Sequence, residues 1–139
     1  MLTELVVDAS FSMCWFLKDE INKASLEIFA KLEKYEVSVL VPALWVTETV
    51  TAFIQAERRK RIEPEATRIH LENLQYYPIK VITPPLTSLL QIAELARKYN
   101  LSGYDAAYLN LAMELNLPLA TLDEKLTLAA SAAGVKLAV

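Results

Sequence analysis

Only two glycines, Gly103 and Gly134, occur in the chain. That leaves no material for a glycine-rich phosphate loop or a dinucleotide-binding fingerprint, and nucleotide-cofactor enzymes built on such loops drop out. Cysteine is rarer still. Cys14 stands alone, so neither an internal disulfide nor a cysteine-built zinc cluster is possible, and the residue is expected to pack as a small apolar side chain. His70 is the single histidine. It falls in a mixed polar and apolar stretch with no nucleophile elbow beside it, which removes a Ser-His-Asp hydrolase. Long apolar runs are missing as well: 54% of the residues are hydrophobic, yet no run approaches the roughly 18 to 20 residues of a membrane span. The first residues, Met1 to Leu5, lack a basic region ahead of an apolar stretch, so no secretory signal is expected, and a soluble, cytoplasmic protein without membrane contact follows by default. Positive charge is in deficit, with a formal net charge of −3. Gripping nucleic acid by bulk electrostatics is therefore disfavoured, although a local basic groove remains compatible.

What the 139 residues do contain is an alternation of apolar strands and amphipathic helices. The length suits one domain spanning 1–139, large enough to bury a core. Leu5-Val6-Val7, Val37 to Val41, Ile79 to Ile82, Leu117 to Leu122 and Val135 to Val139 read as strands. Between them, helices are predicted from Asn22 to Tyr35, Ala43 to Arg61, Glu63 to about Leu74, Leu89 to Tyr99, Ala106 to Leu115 and Leu128 to Ala133. This pattern predicts an α/β fold with a mainly parallel sheet covered by helices on both faces.

Four acids stand at positions where ordinary packing does not want them. Asp8 ends the first strand and Asp123 the fourth, at the carboxyl edge where open parallel sheets place their ligands. Asp105 opens a helix behind Ser102, in the spacing of a capping box. Glu48 lies on a helix turn among Leu44, Trp45, Val46, Val50 and Phe53, and such an acid must neutralise or find a partner that the local sequence does not supply. Each acid singly has a plain structural explanation as a cap, a turn residue or the mate of a distant arginine. Gathered at one sheet edge, the four would repel unless they shared a hard divalent cation such as Mg²⁺ or Mn²⁺.

Taken in order, Val6-Val7-Asp8-Ala9-Ser10, Pro42-Ala43-Leu44-Trp45-Val46-Thr47-Glu48, Tyr104-Asp105-Ala106-Ala107-Tyr108 and Ala120-Thr121-Leu122-Asp123-Glu124-Lys125-Leu126 resemble the successive signatures of PIN-domain ribonucleases, especially VapC-like toxins. The resemblance covers essentially the whole chain. It implies a PIN-like three-layer domain with a central five-stranded sheet and a Mg²⁺- or Mn²⁺-dependent endoribonuclease. It also implies Asp8, Glu48, Asp105 and Asp123 as catalytic metal ligands and Ser10 or Thr121 as supporting polar groups. An antitoxin that blocks the cleft and a homodimer are implied too. One position departs from the pattern: the family often carries Asn three residues after the second acid, where this chain has Thr51.

Two rivals remain at this stage. An inactive PIN-like scaffold would bind RNA or protein without cutting. A phosphotransferase would use Asp8 as nucleophile, although Ser10 occupies the place where a second acid would be expected. The run Arg58-Arg59-Lys60-Arg61 either complements a helix C-terminus or contacts RNA or a partner. Trp15, Trp45 and Tyr108 are expected to be core.

Overall fold

The computed structural model describes residues 3–139. Met1 and Leu2, at the head of the segment read for a leader, lie outside the described residues. Strand β1 (Thr3–Val7) buries Leu5, Val6 and Val7, and all of β2 (Val37–Pro42) is buried. Such unbroken apolar runs are what a parallel strand covered on both faces requires. With β3 (Ile79–Ile82) and β4 (Leu119–Ala120) they form one parallel sheet in the order β3-β2-β1-β4, with Leu5 beside Val39 and Val6 beside both Leu40 and Leu119. From β1 the chain steps outward through β2 to β3, then returns to add β4 on the other flank of β1. That reversal opens a crevice beyond the carboxyl ends of β1 and β4.

Asp8 caps the short helix α1 (Ala9–Ser12), which continues as a 3-10 turn, Met13–Trp15. The remaining helices are α2 (Lys23–Glu33), α3 (Leu44–Arg58), α4 (Pro64–Leu74), α5 (Leu89–Tyr99), α6 (Gly103–Leu115) and α7 (Glu124–Ala132). Helix α6 is buried without a break from Ala106 to Ala112 and packs on β1, β2 and α5. An all-round apolar helix of this kind belongs in a core, and its amino end carries Asp105 to the sheet edge. With glycine so scarce, other residues take the left-handed conformation that ends helices: Asn100 after α5 and Asn116 after α6 both sit at φ 52°, ψ 48°.

Two expectations need correction. The fifth strand, Val135 to Val139, is reduced among the described residues to a single bridge between Leu119 and Leu137. Its neighbour β4 is only two residues long, because Pro118 offers no amide before it and the chain turns away at Thr121, so there is no ladder to extend. The last helix begins at Glu124 rather than Leu128. The Asp123 carboxylate accepts from the Leu126 amide at 2.8 Å and starts the helix one turn early.

Candidate active site

Asp8 is the most deeply buried of the four acids, only 4% exposed. Its Oδ1 accepts from the Ser10 hydroxyl at 2.7 Å and the Phe11 amide at 3.0 Å, and its Oδ2 from the Thr121 hydroxyl. The donors are all neutral. Burial raises the Asp8 carboxyl above the usual carboxylate range; the three hydrogen bonds pull it down, and the charge of Asp105 pushes it further up. Thr121 also accepts from the Asp123 amide at 3.0 Å, and Ser10 from the Leu122 amide at 3.3 Å. Asp8 thus locks the end of β1 to the turn after β4.

Glu48 finds its missing partner on α6, in the sequence-distant Tyr108. The Tyr108 hydroxyl, on a side chain 1% exposed, donates to Glu48 Oε1 at 2.6 Å. Burial raises the Glu48 carboxyl, Tyr108 lowers it in part, and the charges of Asp8 and Asp105 raise it again. Burial and the carboxylate at its hydroxyl together drive the Tyr108 phenol far upward, so it stays a protonated donor. Asp105, on the first turn of α6, is raised by burial and by the charge of Asp123, with Ser102 and Lys125 opposing. Asp105 links the set: its charge acts on Asp8 and Glu48, and the charge of Asp123 acts on it.

Comparison with known proteins fits this geometry. The sequence pattern described as "PIN domain" matches residues 5–131. The chain belongs to the PIN-domain family. PIN domains are typically nucleases. Among solved structures, this PIN domain is similar to PAE2754 from Pyrobaculum aerophilum, with 26% identity over 93% of this chain and 87% of that one and a TM-score of 0.69. FitAcB from Neisseria gonorrhoeae, at 17% identity, covers 96% of this chain and 95% of its own, with a TM-score of 0.60, and shares the fold. Among curated protein sequences none matches the chain.

In this PIN domain Glu48 and Asp123, but not Asp8 or Asp105, line a groove of about 1180 Å³ that runs the length of α3. Ser10, Glu48, Tyr104, Leu122 and Asp123 line its acidic end, and Thr51 lies one turn beyond Glu48 on the same wall. The run Arg58 to Arg61 is split by the fold. Arg59 and Arg61 line the far end of the groove, whereas Arg58 and Lys60 do not. Arg61 is already engaged: Nε and Nη2 donate to the two oxygens of Asp19 at 2.8 Å, and Nη2 reaches Glu20 at 2.8 Å.

No three Asp, Glu, His or Cys side chains are preassembled to hold a metal among the described residues. Both Asp8 oxygens, Glu48 Oε1 and Asp123 Oδ2 accept from protein donors. The donor set still suits a hard cation: Glu48 Oε2 and Asp123 Oδ1 have no protein donor among the described residues, and Mg²⁺ binds through one or two carboxylates while keeping several waters.

His70 packs against Phe16 and Phe53, with ring centroids 5.0 Å and 6.1 Å away, and does not line the groove. Cys14 is buried. Trp15 and Trp45 are buried, their indole N–H groups donating at 3.0 Å to the Ser25 carbonyl and the Ser12 hydroxyl. Tyr108 is core in its ring and part of the site in its hydroxyl, a role that sequence reasoning passed over. The available signal was its place three residues after Asp105, which puts both on one side of α6.

Proposed function

We propose that this PIN domain is a Mg²⁺- or Mn²⁺-dependent endoribonuclease, with Asp8, Glu48, Asp105 and Asp123 as its catalytic carboxylates and metal ligands. The observation that carries the reading is Asp8: buried, raised, held only by neutral donors and acted on by the charge of Asp105, beside a groove whose lining includes Ser10, Glu48 and Asp123. When bound, a divalent ion would acidify water for attack on the phosphodiester and offset charge on phosphate oxygens. The protein's own contribution is positional. Ser10, Thr121 and the Phe11 amide fix the Asp8 carboxylate, Tyr108 fixes Glu48, and the Asp123 cap holds its carboxylate at the end of α7. Thr51 presents a hydroxyl to the groove near Glu48, where the family often has an amide.

The resemblance to VapC-like toxins extends the proposal: the enzyme acts as the toxin of a toxin–antitoxin pair, as a cytoplasmic homodimer held inactive by a small antitoxin. A second reading, a PIN-like scaffold that binds RNA without cutting, draws on the lack of three preassembled ligands and on Thr51. Divalent-dependent cleavage of RNA separates the two. The wild type should cut with Mg²⁺ or Mn²⁺, stop with chelator, and lose cutting in Asp8→Asn. Cleavage that survives both treatments would overturn the nuclease assignment, and absence of any calorimetric divalent binding would favour the scaffold.

A further inference from the structure

The groove is lined chiefly by α3 and by the segment from α1 to the start of α2. On α3, Thr47, Thr51, Gln55 and Arg59 recur at intervals of four and form a polar ridge along it, since residues four apart lie above one another on a helix. On the segment from α1 to the start of α2, Met13 and Leu17 are buried and Ile21 is 81% exposed. Helical rise sets Arg59 about 16 Å from Glu48, so one end of the groove holds acids without a guanidinium, and the other holds Arg59 together with the Glu20–Arg61 pair. The Arg59 guanidinium is available: Arg61 is clasped by Asp19 and Glu20, while Arg59 makes no ion pair among the described residues.

We infer that Arg59, at the end of the Thr47-Thr51-Gln55 ridge, forms a phosphodiester-binding subsite that holds the RNA backbone against α3 a few nucleotides from the cut, with bases turned toward the exposed Ile21. The inference rests on the nuclease reading for the identity of the ligand. A polyanion approaching an acidic centre is repelled there, so attraction must come from a cation set back from the chemistry. Arg59 is the one groove-lining cation not already neutralised by protein carboxylates among the described residues. The exposed apolar side chain of Ile21 suits base faces, which single strands expose and duplexes hide.

The test measures binding of a short fluorescein-labelled oligouridylate by anisotropy across a salt series, in the Asp8→Asn background so that the strand survives. Adding Arg59→Ala should weaken binding about fivefold at 0.1 M salt and lower the salt slope by about 0.7, the share of one phosphate contact on a single strand. Arg59→Lys should restore the slope. Ile21→Ser should weaken binding with the slope unchanged. Arg59 and Ile21 are both exposed, so thermal melts should match the parent. An unchanged slope in Arg59→Ala overturns the subsite, as does an Arg59-dependent complex with polyglutamate but none with RNA, which would make the groove a protein-binding surface. The nuclease reading is judged separately: if binding falls as stated while the otherwise wild-type chain never cuts RNA with Mg²⁺ or Mn²⁺, that reading fails and the subsite stands.

Discussion

The groove is bordered by acids at both ends, and the two sets are treated in opposite ways. At the far end Asp19 and Glu20 share the Arg61 guanidinium, whose hydrogen bonds hold the Asp19 carboxyl below the usual carboxylate range. At the near end Asp8, Glu48 and Asp105 have hydroxyls, an amide and a phenol, and burial holds all three carboxyls above that range. The first set is exposed and has its counter-charge built in. The second runs from buried Asp8 to half-buried Glu48 and Asp105, opposed only at Asp105 by the charge of Lys125, and the desolvation and mutual repulsion it tolerates disfavour the folded protein. Carboxyls perturbed together at one spot are where a functional site is sought first.

Breaking the near end should have the largest effect. Asp8→Asn keeps shape and an acceptor oxygen but removes the central charge, so metal-dependent cleavage should fall by more than the roughly 100-fold bound for an outer-shell partner. Stability should not fall with it. Because the three carboxyls are raised in the folded state, the folded chain holds more protons than the unfolded one between the ordinary carboxylate range and the raised values. Their stabilising contribution is present below the unfolded pKa and lost as pH rises through the folded one. In chelator, lowering the pH from neutral through that window should therefore raise their share of stability, and the rise should be smaller in Asp8→Asn. His70, lowered by burial, works the other way: its contribution is present above the unfolded value and lost as pH falls through the folded one. Since it is common to both proteins, the difference between their melting curves isolates Asp8. An identical pH dependence in the two would contradict the raised carboxyl.

Tyr108→Phe comes next. It leaves the buried ring and removes only the hydroxyl that orients Glu48. Loss of this outer partner should cost about 10- to 100-fold in activity or divalent affinity, and calorimetric titration with Mn²⁺ should register the same weakening. A melting temperature that drops while divalent affinity holds would make Tyr108 a packing residue and nothing more.

Much of this contrast was legible before any coordinates, and the illegible part has a pattern. Asp8 could be placed because its strand end is marked by local signals, a β-branched run and then a turn residue; Asp123, expected at the end of the fourth strand, instead caps α7 three residues past β4. The third strand and α5 have the predicted bounds, Ile79–Ile82 and Leu89–Tyr99. What local sequence cannot carry is a partner far along the chain. Glu48 was visibly in need of one, but Tyr108 is sixty positions away and looked like any core aromatic. The same limit hid the division within Arg58 to Arg61: four adjacent cations read as one patch, and only the turn at the end of α3 sends Arg59 and Arg61 to the groove. The fifth strand failed for a related reason. Val135 to Val139 has strand-like composition, but pairing depends on the neighbour, and β4 is too short to offer a ladder.

The smallest expected effect sharpens the comparison from its other end. Arg61→Ala removes a clasp that is exposed and screened by salt, so the fold should be little affected. Its consequence should be electrostatic: Asp19 and Glu20 would be left unpaired at the groove's rim, with Glu20 in its lining. Binding of oligouridylate should then weaken modestly, less than in Arg59→Ala, because a phosphate meets new repulsion instead of losing a contact. The two mechanisms separate on rescue. Adding Asp19→Asn and Glu20→Gln to Arg61→Ala should return affinity to the parent value, whereas the same pair added to Arg59→Ala would leave Arg61 unclasped and able to take over some of the lost attraction. If the Arg61 triple variant stays weak, Arg61 touches the RNA itself, and the difference drawn here between a clasped and an available arginine no longer holds.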